Sequence, residues 1–380
     1  MSPTPTPFSR RGALRGATAV LAGGLGLAGG TAGAAPRPGG VRSPRSAADQ
    51  ARRAGQCVIH SYPGPTPPAA LMDAIRDGRT AGVIFFGENI ESLGQIADVI
   101  EAMTAAHASS PVRAPLLLMT DQEGGMVRRL PGEPVLSAKD VGASAQREAR
   151  AASTGSGAGR NLAGVGMNVN LAPVLDVYRV PGDFTDRYER SYGTDPGTVG
   201  ACGAAFVTAQ QNLGVAATAK HFPGLGPASA QQNTDLGPVT VTTPAATLRG
   251  VDEAPYRAAI AAGTRLVMLS WAVYRSLDAA RPAGLSPTVV GELRDRLGFR
   301  GVTITDALEA KALQAYGGTG DRAVLAARAG MDLLLCSARD VAQGEQAVTA
   351  LAEALTAGTL DAGAFDAGAA RVNALRAGLA

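Results

Sequence analysis

Eight short, solidly apolar runs alternate with longer amphipathic stretches along this chain. The runs are Gln56–Ser61, Gly82–Phe86, Leu116–Thr120, Met167–Leu171, Ala216–Ala219, Leu266–Ser270, Val302–Thr305 and Asp332–Leu335. Helical patterns occupy Ser92–His107, Ala138–Gly164, Thr198–Leu213, Thr247–Ala262, Pro287–Leu297 and Asp321–Ala329. A closing helical stretch covers Val341–Leu379, with a break expected near Gly358–Gly363. Apolar strands separated by helices require parallel pairing with both sheet faces covered. Eight such repeats predict a single (β/α)8 TIM-type barrel over residues 49–380. A doubly wound sheet would need a glycine-rich phosphate turn after its first strand. His60-Ser61-Tyr62-Pro63-Gly64 is not one. The glycines at 155, 157 and 159 fall inside a helical pattern and read as helix packing.

The chain has 380 residues, 46% apolar and 18% charged, enough to bury a large core. Its net charge of +3 includes eight arginines within residues 10–53, so the remainder is near neutral. With no basic stripe interleaved with aromatics, nucleic acid is not an expected partner. Residues 1–34 look like an export signal: Arg10-Arg11 resembles the twin-arginine pattern, Ala17–Gly30 is apolar, and Ala32-Gly33-Ala34 offers small residues before a cut at Ala35. A disordered Arg/Gly/Pro tail is the plainer alternative. Residues 35–48 read as a linker, and a secreted, extracytoplasmic location follows. The apolar run is too short and glycine-rich for a membrane span, and no cysteine lies near the cut, so no membrane anchor is expected. Cys57, Cys202 and Cys336 lack metal-ligand spacing and read as buried thiols. A Cys57–Cys336 bridge is conceivable because the first and last barrel strands are neighbours.

Three charged strings sit where apolar runs end: Asp121-Gln122-Glu123-Gly124-Gly125, Lys220-His221-Phe222-Pro223-Gly224, and Asp306-Ala307-Leu308-Glu309. The carboxyl rim of a barrel is where such residues do chemistry. Asp306 is either a carboxylate nucleophile of the kind retaining glycosidases use or a helix N-cap. Asp121 and Glu123 with Arg129 could hold sugar hydroxyls, or could form a local ion pair with Arg128 and Arg129. Lys220, His221 and Arg190 could hold a polar substrate, or could be salt-bridge members.

Taken together with Gly166–Val177 (GMNVNLAPVLDV), Glu189–Gly193 (ERSYG), Leu285–Pro287 and Leu297–Asp306 (LGFRGVTITD), these strings resemble glycoside hydrolase family three, in its single-barrel bacterial branch of β-N-acetylhexosaminidases. The resemblance implies Asp306 as nucleophile. It implies Asp121, Arg129, Arg190, Lys220 and His221 as the residues that hold a terminal sugar, N-acetylglucosamine. It implies no metal and no organic cofactor. The expected activity is removal of terminal β-linked N-acetylhexosamine, by a retaining route, from peptidoglycan fragments or chitin oligomers. A monomer with a carbohydrate as its partner is expected.

One departure stands out. In that branch the loop after Lys-His-Phe-Pro-Gly carries an Asp/His dyad that protonates the leaving group. Here Gln231 and Asn233 fall at those places, and the chain's three histidines are His60, His107 and His221. Losing general-acid help costs ~10²–10⁴-fold in rate. Asp235 is the candidate replacement acid, if the loop folds inward; otherwise it is a turn residue before Gly237-Pro238. Trp271 stands where many relatives have His, and would offer a sugar an apolar face or cap the barrel mouth. The alternatives are a catalytically impaired sugar-binding barrel or a β-glucosidase-like enzyme.

Overall fold

The computed structural model describes residues 46–379. The expected export signal and most of the expected linker lie outside them. Eight strands close into a parallel barrel in the order β1-β8-β7-β6-β5-β4-β3-β2. They are β1 (Val58–His60), β2 (Gly82–Ile84), β3 (Leu117–Thr120), β4 (Val169–Asn170), β5 (Ala216–Phe222), β6 (Leu266–Leu269), β7 (Val302–Ala307) and β8 (Leu333–Leu335). All eight lie within or overlap the apolar runs. Strand β5 extends to Phe222, so Lys220 and His221 are strand residues and do not follow it.

The barrel interior is filled by Ile59, Ile84, Leu117, Met119, Val169, Leu171, Leu266, Met268, Val302, Ile304, Leu333 and Leu335. Each such side chain removed from water contributes about 1.5–3 kcal/mol. Helices cover the outside. The expected 138–164 helix is two pieces, Ala138–Ala143 and Arg147–Gly164, because Ser144 turns extended. The closing stretch is Val341–Thr356 and Ala362–Ala377, parted at Gly358 with φ 68°. Helix Ala69–Asp77, after β1, had no counterpart in the sequence reading. Arg147–Gly164 lies against Pro196–Gln211: a Cβ on Gly155 would fall 2.4 Å from the Phe206 carbonyl oxygen. Gly155 and Gly159 are helix packing, as their context indicated, whereas a Cβ on Gly157 would meet the Glu133 side chain of a loop.

The last helix seals the amino-terminal end of the barrel. Its Arg376 is fully buried and donates to the carbonyls of Pro115 at 2.5 Å and Ala114 at 2.6 Å, and to the Gln56 side chain. With that end plugged, the carboxyl rim is the open one. Cys57, Cys202 and Cys336 are free and buried, so β1 and β8 are not bridged. Among the described residues, no helix is long and apolar enough to cross a membrane.

Candidate active site

A cup of about 590 Å³ opens at the carboxyl rim, lined among others by Asp121, Arg129, Arg190, Lys220, His221, Asp235 and Asp306. Seven of the eight expected site residues therefore meet in one cavity, although they come from separate strands and loops. Trp271 is the exception.

The floor is a charge network. Lys220 Nζ lies 2.7 Å from Asp121 and 2.8 Å from Glu123, and Arg190 grips Glu123 through two hydrogen bonds of 2.9 and 2.8 Å. Glu123 is therefore not part of a local surface pair: Arg128 turns away and donates to the Gly132 carbonyl. Burial alone would raise the Glu123 carboxyl, but the Arg190 and Lys220 charges outweigh it and hold the group at about 2. Burial likewise disfavours the Lys220 ammonium, yet Asp121 and Glu123 more than offset this and raise its affinity for protons. Arg129 is 4.0 Å from Asp121, and its buried Nε has no partner.

Local sequence sets these positions. Gln122 is buried and its side-chain oxygen accepts from the Arg129 and Leu130 amides, which shapes the hairpin that presents Arg129. Asn170, at the end of β4, bonds both the amide and the carbonyl of Gln122. Gly124 has φ 110°, and a Cβ there would meet the Leu136 carbonyl oxygen at 2.3 Å. That turn needs glycine.

His221 donates from Nδ1 to the fully buried Asp176 at 2.8 Å, and Asp176 also accepts from the Leu225 amide at 2.6 Å. The carboxylate fixes the tautomer with its proton on Nδ1. Asp176 lies inside the GMNVNLAPVLDV string, but spacing alone gave no sign of its partner.

Asp306 sits near the end of β7 and lines the cup; Oδ1 accepts from the Ala307 amide at 2.8 Å. It caps no helix, since the next helical turn begins at Lys311. Glu309 also lines the cup, but its oxygens are taken by the Ser337 amide and hydroxyl and by the Gln343 amide group.

The 225–238 loop folds inward. The Lys311 amide donates to the Asp235 carbonyl at 3.3 Å and the Ala312 amide to the Thr234 carbonyl at 3.0 Å, which stitches this loop to the one following β7. Asp235 stands on the rim and is exposed at its outer edge. Partial burial, and then the nearby Asp306 charge, push its carboxyl up to about 6, against His221 and Arg190 pulling down. A turn joins it to Asn233, whose side chain accepts from the Asp235 amide at 2.9 Å. Asp235 is thus a turn residue that also lines the cup.

Trp271 offers no face to the cavity. Only 1% exposed, it donates from Nε1 to the Ala307 carbonyl at 2.8 Å and lies over Gly284, where a Cβ would fall 2.5 Å from the indole ring. A buried indole N–H needs an acceptor, and the β7 end supplies one. The expectation of a sugar-facing platform is corrected accordingly. Lys311 and Arg339, both cavity-lining, were missed because neither lies in a recognisable string.

Comparison with known proteins identifies the family. Residues 55–375 match the glycosyl hydrolase family 3 N-terminal domain. An uncharacterized secreted glycosyl hydrolase of Arthroderma benhamiae is 45% identical, over 90% of this chain and 97% of its own length. A beta-hexosaminidase of Stenotrophomonas maltophilia is 32% identical, over 69% of this chain and 78% of its own. Among solved structures, the beta-N-acetylhexosaminidase of Beutenbergia cavernae superposes with TM-score 0.77 at 34% identity, covering 86% of this chain and 98% of that one. A family 3 beta-N-acetylglucosaminidase from Paenibacillus gives TM-score 0.80 at 32% identity, with 86% of this chain and 62% of that one covered. The chain belongs to glycosyl hydrolase family 3 and is a glycosidase.

Proposed function

We propose that this glycosidase removes terminal β-linked N-acetylhexosamine, N-acetylglucosamine foremost, by a retaining double displacement. The observation that carries the reading is that Asp306 and Asp235 line one sugar-sized cup, above a floor of fixed cations and carboxylates. Asp121, Arg129, Arg190, Lys220 and His221 hold the sugar's hydroxyls. The Asp306 carboxylate attacks the anomeric carbon as the bond to the leaving oxygen breaks, and protonated Asp235 gives that oxygen its proton. Ionised Asp235 then takes a proton from water, whose oxygen displaces Asp306 and frees the sugar. A proton affinity near neutrality suits a group that must serve as acid and then as base.

Peptidoglycan fragments or chitin oligomers are the proposed glycans, met outside the cytoplasm. The Arg10-Arg11 pattern supports export, as does the similarity to a relative described as secreted. A monomer is the proposed state.

The test is release of phenol from an aryl N-acetyl-β-glucosaminide by the purified protein, abolished by Asp306→Ala. Turnover of the aryl glucoside in its place would favour a β-glucosidase. Turnover of neither, with calorimetric binding of N-acetylglucosamine, would favour a catalytically impaired sugar-binding barrel.

A further inference from the structure

We propose that Arg187 is a positioning residue for Asp235. The segment from Phe184 to Arg190 is a strut that joins the sugar-holding floor to the 225–238 loop, and Arg187 is the side chain through which the strut holds that loop. This deepens, and rests on, the reading of Asp235 as the acid.

At its floor end the strut is fixed by its own acidic residues. Phe184–Arg187 is a single helical turn. Just before it, Asp183 accepts from the Arg179 and Val180 amides at 3.2 and 2.7 Å. Within it, Asp186 is buried, accepts from the Gly182 amide at 2.7 Å and pairs with Lys139 Nζ at 2.8 Å. Shifting that turn would strand a buried charge. Glu189 then takes φ 58°, a left-handed backbone that a non-glycine residue adopts only where its surroundings impose it. The Lys139 amide donates to the Glu189 carbonyl at 3.2 Å. This bend sends Arg190 into the floor, where it grips Glu123.

The same segment bonds to the acid loop at two places. The Phe184 amide donates to the Ala228 carbonyl at 3.2 Å, and Arg187 Nη1 donates to the Ala230 carbonyl at 3.0 Å. Among the described residues, Arg187 is the only side chain outside residues 226–238 that hydrogen-bonds to them. Tyr188 orients it, with the guanidinium 5.0 Å from the ring centre, and the cup-lining Phe184 meets that ring edge-on at 5.7 Å. Beyond Ala230 the loop turns, the Gln232 amide donating to the Ser229 carbonyl at 2.9 Å, and the Ala312 and Lys311 amides hold it again at Thr234 and Asp235. Without Arg187 the stretch between Ala228 and Thr234 has no hold. Asp235 then gains freedom that must be removed before it can deliver its proton. Because Arg190 lies in the same strut, the acid's place is set relative to the bound sugar.

The plainer account is an exposed arginine resting on Tyr188, whose bond adds only to stability. Leaving-group dependence separates the two. Methyl N-acetyl-β-glucosaminide needs its leaving oxygen protonated, and the 2,4-dinitrophenyl glycoside does not. In Arg187→Ala the expected kcat/KM for the methyl glycoside falls about tenfold, as the loss of one charge-assisted hydrogen bond gives. The dinitrophenyl glycoside is nearly unaffected, and N-acetylglucosamine binds with unchanged affinity by calorimetry. Arg187→Lys restores most of the loss, since one bond to a carbonyl needs no guanidinium fork. In Asp235→Asn, adding Arg187→Ala costs nothing more on the methyl glycoside, because the group it positions is gone. The ratio between substrates is internal to each protein, so a partial loss of folded enzyme does not move it. Equal losses on both glycosides in Arg187→Ala would overturn the proposal, as would a further loss of the same size in the Asp235→Asn background. If Asp235→Asn alone slows both glycosides equally, the acid assignment fails and takes this proposal with it.

Discussion

The indole N–H of Trp271 donates to the carbonyl of Ala307 at 2.8 Å, one peptide beyond the carboxylate that faces the cup. Trp271 thereby ties the end of β6 to the end of β7. Trp271→Phe keeps the ring over Gly284 but removes one of two donors to that carbonyl, leaving it the Ala310 amide at 3.1 Å, a cost of about 0.5–1.5 kcal/mol. The expected outcome is a lower denaturation midpoint together with a fall in kcat larger than any rise in KM. An unchanged kcat in folded variant protein would show that the tie does not position Asp306.

Asp235 provides a leaving-group test. Asp235→Asn should slow hydrolysis of substrates with poor leaving groups by ~10²–10⁴-fold, while activated aryl glycosides lose far less in the glycosylation step. Its carboxyl titrates at about 6, so the protonated form that donates prevails below that pH. For poor leaving groups, kcat/KM should fall as pH rises through about 6, and the limb should vanish in Asp235→Asn. Equal losses on both substrate types would remove Asp235 from the acid's role.

Lys220 neutralises two carboxylates at once, 2.7 Å from Asp121 and 2.8 Å from Glu123. Lys220→Met leaves Asp121 with Arg129 at 4.0 Å as its nearest cation. Breaking a buried pair in this way costs about 3–5 kcal/mol. Arg190 still holds Glu123, so the lower end of that range is expected in urea unfolding, along with loss of sugar binding by calorimetry.

Asp252 is fully buried, and although Arg179 reaches one of its oxygens at 2.6 Å, the other has no partner. Burial outweighs the Arg179 charge and lifts the carboxyl from 3.8 to about 7. With its folded value above its unfolded one, the native state holds the extra proton between those pH values. Stability should therefore decline as pH rises from about 4 to 7. Asp252→Asn should flatten that part of the melting-temperature profile, and an unaltered slope would count against the assignment.

The alternation of short apolar runs with amphipathic stretches was enough to determine the barrel, because strand and helix periodicities are local properties that burial on both sheet faces imposes residue by residue. The ends of those runs also marked Asp121, Lys220, His221 and Asp306, since a closed parallel barrel brings every strand's carboxyl end to one rim. Partnership was not legible. Glu123 finds Arg190 and Lys220, His221 finds Asp176, and Trp271 turns inward to Ala307, each through contacts between segments far apart in the chain. Nor could composition reveal that the 225–238 loop is stitched to the residues after β7 or that Arg339 adopts a left-handed backbone. Such choices depend on which charges and unpaired polar atoms the folded chain brings together, and a buried group takes whatever partner lies within reach once water is gone.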